Sequence, residues 1–350
     1  MICAKHMVLL FLGIEILSIP LYILSASDKN DLRSVEAGMK YFLMGSFTTG
    51  ILLFGMALMY GSTGTLYLDE MGVSISNASS TNTMVLSGML LLIAGFAFKL
   101  GLVPFHFWSP DVYEGSPTLY TAFMATVVKI AGFGAFAQLL FNTFASVQNA
   151  WMPVLAIITA ATLILANLTA LHQSNFKRLL AYSSISNAGY IMLGILAFQA
   201  SSYHSIGIYL LTYSLASILS FAVFIVINKQ TGRSDIESFR GLGALNPFQA
   251  VLLTIGILST AGIPLTGGFI AKYLLFSSAY SSYSWLVIVA AVNSAIGIYY
   301  YFKPLQAIWF KEANHTVEKL NFPWAFTLVL TICSLLILFV GLYPQLLLGL

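Results

Sequence analysis

Lys40, Lys99, Lys129, Lys272 and Glu15 each lie inside a stretch otherwise apolar enough to cross a membrane. A charged side chain near the centre of a bilayer costs roughly 2.5–3.5 kcal/mol on insertion scales, so five facing lipid would cost more than about 10 kcal/mol. Such groups must face one another, the protein interior or water, which is how an ion or proton path is built. Desolvation and a neighbouring carboxylate act on a lysine in opposite senses, so a lysine held between them can gain and lose protons. His106, two residues after Pro104, is a further candidate relay group, with hydrogen bonding to a carbonyl of an interrupted helix as its structural alternative. Lys40, early in its segment, and in part Lys99, have snorkelling to the headgroups as an alternative. For Glu15, five residues before Pro20, the alternative is a purely structural ion pair.

The elements that must position these groups are membrane helices. Apolar residues make up 59% of the 350 and charged residues 8%, against about 25% charged in soluble domains. Neither a basic nucleic-acid-binding surface nor the alternating pattern of a membrane barrel is present. Cys3 and Cys333 fit no disulfide or metal-ligand spacing, and no metal site is expected. Hydropathy predicts an all-α polytopic protein of about ten segments, near 6–26, 34–60, 84–107, 117–145, 151–171, 178–198, 203–228, 247–281, 284–302 and 323–348. The connections 61–82 and 229–246 carry Gly, Ser, Asn and Asp. With no soluble domain between them, 1–350 is read as one membrane domain.

Simple alternation of these segments sorts the 15 Lys and Arg residues sharply. Lys29, Arg33, Lys177, Arg178, Lys229, Arg233, Arg240, Lys303, Lys311 and Lys319 fall on one face, Lys5 on the other, and the four lysines named first remain inside. The positive-inside rule makes the first face cytoplasmic and puts both termini outside. Two segments are interrupted. The 247–281 stretch, far longer than a span of about 20 residues, contains Ser259-Thr260-Ala261-Gly262-Ile263-Pro264-Leu265-Thr266-Gly267-Gly268, with Lys272 just beyond; the third contains Lys99-Leu100-Gly101-Leu102-Val103-Pro104-Phe105-His106. Proline removes a helix hydrogen bond and glycine relaxes the backbone, so helices broken near Pro104 and Pro264 are expected. Paired interrupted segments are the usual pointer to repeated halves around an ion path.

The run Phe98 to Thr118 (FKLGLVPFHFWSPDVYEGSPT) closely resembles a signature of the antiporter-like membrane subunits of respiratory complex I. Lys129-Ile130-Ala131-Gly132-Phe133, Lys177 to Ser186 (KRLLAYSSIS), Leu258 to Pro264 (LSTAGIP) and Gly268 to Tyr273 (GFIAKY) extend the likeness. Leu12 to Tyr22 (LGIEILSIPLY), Glu36 to Phe42 (EAGMKYF) and a lysine rather than a glutamate in the second broken helix are most similar to the N-type subunit of NADH–quinone oxidoreductases. The resemblance runs from about residue 7 to the end.

The resemblance implies an inverted-repeat antiporter-like architecture, with halves at about 1–145 (incomplete) and 151–310 and a final helix at 323–348. Family members carry about four further helices before the one bearing Glu15, so the amino-terminal helices are expected to be missing. It also implies a proton-translocating, non-redox subunit in which Glu15 modulates Lys99 through a separable ion pair. Lys129 is then the central relay and Lys272 the exit lysine, with Lys40 and His106 on the same polar axis. Asn187 stands where many relatives have a histidine; asparagine hydrogen-bonds but does not titrate. NADH, FMN, iron–sulfur clusters and quinone belong to other subunits, and this chain binds no redox cofactor. Its partners are other membrane subunits and the lipid bilayer, not nucleic acid, and its location a bacterial inner membrane. The alternatives are a subunit of a related cation/proton antiporter and a non-transporting assembly scaffold.

Overall fold

The computed structural model describes residues 1–77, 82–312 and 321–345. Among these, extended pairing is limited to two isolated antiparallel bridges, His6–Tyr67 and Asn175–Asp235. Nine helical stretches among the described residues are long and apolar enough to cross a membrane. The eighth expected segment, 247–281, is interrupted, and its first part, Pro247–Ala261, is by itself too short to span. The end of the last expected segment, 346–348, and Lys319 lie outside the described residues.

In chain order the helices are α1 (Met7–Ser25), α2 (Leu32–Thr63), α3 (Leu68–Asn77), α4 (Thr83–Leu100), α5 (Trp108–Gly115), α6 (Thr118–Phe123), α7 (Lys129–Gln138) and α8 (Gln148–Ala170). Then come α9 (Phe176–Ala197), α10 (Ser202–Thr231), α11 (Leu242–Leu245), α12 (Pro247–Ala261), α13 (Gly267–Phe310) and α14 (Trp324–Leu342). Two compact units divide them: Met1–Tyr120 with Val127–Thr162, and Thr121–Thr126 with Leu163–Leu350. The connection 61–82 proves to hold α3, which buries Leu68, Met71 and Ile75.

In the first unit α2 packs against α1, α4 and α5, and α4 against α7. At 32 residues, α2 is about 48 Å long against a hydrocarbon core of about 30 Å. The third segment stops being a helix at Leu100, earlier than its expected end. Gly101 adopts the left-handed conformation (φ 72°), and the Leu102 N–H returns to the Ala97 carbonyl at 2.8 Å. That is a Schellman closure, with the hydrophobic residue after the glycine that the motif favours. The backbone beyond is satisfied from inside: Val103 N–H donates to Thr162 Oγ1 (3.0 Å) and the Trp108 indole to the Phe98 carbonyl (2.9 Å).

In the second unit α9 and α10 pack on α13, with α12 and α14 beside α10. Here the break repeats the same closure. Gly262 is left-handed (φ 80°), and Ile263 N–H bonds the Leu258 carbonyl at 3.0 Å. The expected separation of segments eight and nine appears as a kink in α13 at Tyr283, whose φ and ψ are −139° and 56°. The α10–α12 connection is tied down as well. Ile236 N–H donates to Ser174 O (2.9 Å) and Phe176 N–H to Ser234 O (2.7 Å), while Glu237 pairs with Arg240 and with Lys311 (2.5 Å).

Two outcomes are expected. A Cβ on Gly268 would lie 1.8 Å from the Ser259 carbonyl oxygen, so Gly268→Ala destabilises by at least about 1–3 kcal/mol, read as a lowered Tm. The Lys311 ammonium, then the Arg240 guanidinium, hold the Glu237 carboxyl below its usual range. A depressed carboxyl contributes stability above its unfolded pKa and loses it as pH falls through the folded value. Limited proteolysis of 229–246 should therefore accelerate on acidification, and Glu237→Gln should flatten that dependence.

Candidate functional site

Glu15, Ser18 and Tyr22 are spaced i, i+3 and i+7 on α1, which places them on one face. That face turns inward, with Ser18 and Tyr22 buried and Glu15 largely shielded, while Ile16, Ile19 and Ile23 on the other side are exposed. Lys99, in the last turn of α4, points at it. The Lys99 ammonium donates to Ser18 Oγ and to the Tyr22 hydroxyl, both at 3.0 Å. It lies 3.7 Å from Glu15 Oε1, the two side chains being 9% and 13% exposed. Thr49 on α2 donates its hydroxyl to Glu15 at 2.9 Å.

Lys129 is buried, with 6% of its surface exposed. It opens α7 directly after a π-helical turn, Met124–Val128. A turn later, a Cβ on Gly132 would lie 2.8 Å from Leu100 Cδ2, so α7 lies close against the last turn of α4. A cavity of about 10 Å3 beside Lys99, lined by Ser18, Tyr41, Phe96, Val128 and Gly132, is on the scale of one water.

Lys40 is not one of this buried set. Its side chain is 40% exposed and sits 2.8 Å from both Glu36, one turn earlier on α2, and Asp111 on α5. His106 is partly buried in the non-helical link between α4 and α5, its ring 4.6 Å from that of Phe107. Its Nδ1 is buried and bonds no protein group.

In the second unit Lys272 is also 6% exposed. Its ammonium donates to the Ala261 carbonyl (2.9 Å) and to Ser294 Oγ (3.1 Å), and lies 4.7 Å from the centre of the Tyr190 ring. It follows the break in sequence, yet its charge returns to the carboxyl-terminal end of α12, where the helix dipole favours a cation. Asn187 is held on several sides: its amide donates to Ser183 O (2.7 Å), and the Tyr209 hydroxyl donates to its Oδ1 (2.6 Å). Ser183 also hydrogen-bonds Tyr301. Nearby, Asn167 donates to Ser186 (2.8 Å) and accepts from Tyr300 (3.0 Å). Lys177, placed by sequence on an aqueous face, is buried at the start of α9.

Sequence reasoning did not single out Ser18, Tyr22, Thr49, Asp111 or Ser294. Only the first two left a signal, their helical spacing from Glu15.

Residues 4–297 match the family described as "NADH:quinone oxidoreductase/Mrp antiporter, TM". The chain is 42% identical over 345 residues to the NADH-quinone oxidoreductase subunit N of Cytophaga hutchinsonii, covering 98% of this chain and 74% of that protein. It is similar to a chain of the respiratory complex I of Thermus thermophilus with bound aureothin, at 36% identity and a TM-score of 0.86, covering 99% of this chain and 76% of that one. A chain of the membrane-bound sulfane sulfur reductase, an archaeal respiratory membrane complex, superimposes with a TM-score of 0.88 at 30% identity, covering 98% of this chain and 69% of that one.

The burial pattern predicts selective chemistry. In the native, detergent-solubilised protein an amine-acylating reagent modifies Lys40 and spares Lys99, Lys129 and Lys272 in peptide mass spectra. Acylation of Lys129 or Lys272 before unfolding would contradict the burial described.

Proposed function

This chain belongs to the NADH:quinone oxidoreductase/Mrp antiporter family of membrane proteins, and we propose that it moves protons as the N-type subunit of an NADH–quinone oxidoreductase. Quinone reduction elsewhere in that complex would drive proton transfer along a buried glutamate–lysine series. The observation that carries this reading is the Glu15–Lys99 pair, largely shielded and 3.7 Å apart. A pair present only to join helices would be expected in direct contact, because an open buried pair gives up attraction that offsets its desolvation.

In this reading Glu15 sets the charge state of Lys99, Lys129 relays the proton, and Lys272 passes it to an aqueous face. The exposed, doubly paired Lys40 has a lesser part, at most modulating entry, and His106 is a candidate on the connecting path. The subunit binds no redox cofactor; NADH, FMN, iron–sulfur clusters and quinone are handled by the complex's other subunits. Its partners are the neighbouring membrane subunits of the complex. The location would be the bacterial inner membrane, with both termini outside; the ten basic residues that segment alternation assigns to one face support that orientation. The related cation/proton antiporters fall under the same family description. The near-full-length match at 42% identity to an N-type subunit favours the oxidoreductase.

The test is in the assembled complex reconstituted into vesicles. Lys129→Ala should assemble and lower the proton-to-electron ratio, whereas Lys40→Ala should have a smaller effect. Failure of Lys129→Ala to assemble, with normal stoichiometry in whatever complex forms, would favour a scaffold. For Glu15, glutamine should impair coupled turnover more than aspartate does; equal activities would reduce its role to hydrogen bonding.

A further inference from the structure

The Glu15–Lys99 pair stands open at 3.7 Å, whereas a charge-assisted contact closes to about 2.7–2.9 Å. Each member is instead engaged by neutral hydroxyls: Lys99 by Ser18 and Tyr22 at 3.0 Å, Glu15 by Thr49 at 2.9 Å. We propose that Ser18, Tyr22 and Thr49 form a cradle that holds this pair in its separated state, as positioning residues for the relay. The proposal rests on reading Glu15–Lys99 as a relay pair.

At an effective dielectric of about 20, opening a pair from about 2.8 Å to this separation weakens its attraction by about tenfold in Boltzmann weight. In hydrocarbon surroundings that loss persists only where other groups take up the freed hydrogen-bonding capacity. The three hydroxyls do so without adding charge. Ser18 directs its own hydrogen at Ile14 O (2.7 Å), leaving its oxygen open to accept from the ammonium. Thr49 has one hydroxyl hydrogen and two acceptors within reach, Glu15 Oε1 at 2.9 Å and Gly45 O at 3.0 Å. It can therefore release the carboxylate to the lysine without leaving a donor unsatisfied.

The Tyr22 arm of the cradle is set by groups beyond the helix break. The Tyr22 ring meets Tyr41 edge-on (4.7 Å, 87°), and Tyr41 stacks flat on Trp108 of α5 (4.6 Å, 8°). Gly45 gives the hydroxyl its place, since a Cβ there would lie 2.2 Å from the Tyr22 oxygen. The position of α5 is thus transmitted through two aromatic rings to the atom that receives the Lys99 ammonium.

The experiment measures coupled proton transfer in the assembled, reconstituted complex for Tyr22→Phe, Ser18→Ala, Ser18→Thr and Gly45→Ala, with Lys99→Ala as reference. Each loss of a hydroxyl should lower coupled turnover by about tenfold, the scale of one hydrogen bond to a charged group. Ser18→Thr should restore most of it. Gly45→Ala, which removes no polar atom, should reproduce the Tyr22→Phe defect. In a Glu15→Gln background, Tyr22→Phe should add less than about twofold, since both changes act through one pair. Equal Tyr22→Phe losses in both backgrounds, or a Ser18→Thr no better than Ser18→Ala, would overturn the cradle while a dead Lys99→Ala leaves the relay standing. Full proton transfer by Lys99→Ala would instead overturn the relay reading itself.

Discussion

Hydrocarbon offers no hydrogen-bond partner, so the polar groups this chain carries into the membrane must turn toward protein or enclosed water. That constraint fixes which face of α1 turns inward. Glu15, Ser18 and Tyr22 share the buried side with Leu10, Ile14 and Leu21, while isoleucines cover the other. It also dictates the long-range bonds at the α4 break, where a threonine on α8 and the indole of α5 serve backbone groups that a continuous helix would have paired internally.

The same constraint separates lysines that look alike in sequence. Lys40 has two carboxylates at 2.8 Å, but at 40% exposure such a pair contributes little because water competes for it. Lys99 has one carboxylate, held off, and two hydroxyls. Lys272 has a carbonyl, a serine and an aromatic face. Going from the first to the last, formal counter-charge gives way to oriented dipoles. A cation held by dipoles is solvated without being locked to a partner, as the proposed relay requires.

Much of this was legible beforehand. The spans followed from hydropathy, and the breaks from glycine and proline. The short Gly101-Leu102 and Gly262-Ile263 echo now has a physical meaning: in each, a left-handed glycine is followed by the apolar residue that closes a Schellman motif. What stayed hidden has physical causes too. Serine, threonine and tyrosine are common in membrane helices, so Ser18 and Tyr22 stand out only once Lys99 is seen to reach them, and Thr49 once it is seen on Glu15. No residue type specifies a π-helical turn, so the one before Lys129 left no signal. Lys40 looked interior because hydropathy marks an apolar stretch without saying which of its faces is covered; its side chain is 40% exposed.

At the second break, the placing of a buried lysine follows from carbonyl availability. In an uninterrupted helix the Ala261 carbonyl would be committed to the N–H four residues on. The break at Gly262 frees it, and the Lys272 ammonium takes it at 2.9 Å. Gly262 also supplies the room, for a Cβ there would come within 2.8 Å of Lys272 Cδ. The close approach of α12 and α13 that Gly268 permits brings Lys272, four residues later, back to that carbonyl. The break at Gly262 and the close packing at Gly268 thus convert a backbone oxygen into a cation ligand within an apolar stretch, where no carboxylate need be buried beside it. The break is then less a point of flexibility than the source of the ligand, and the lysine is the group that makes an unpaired carbonyl tolerable there.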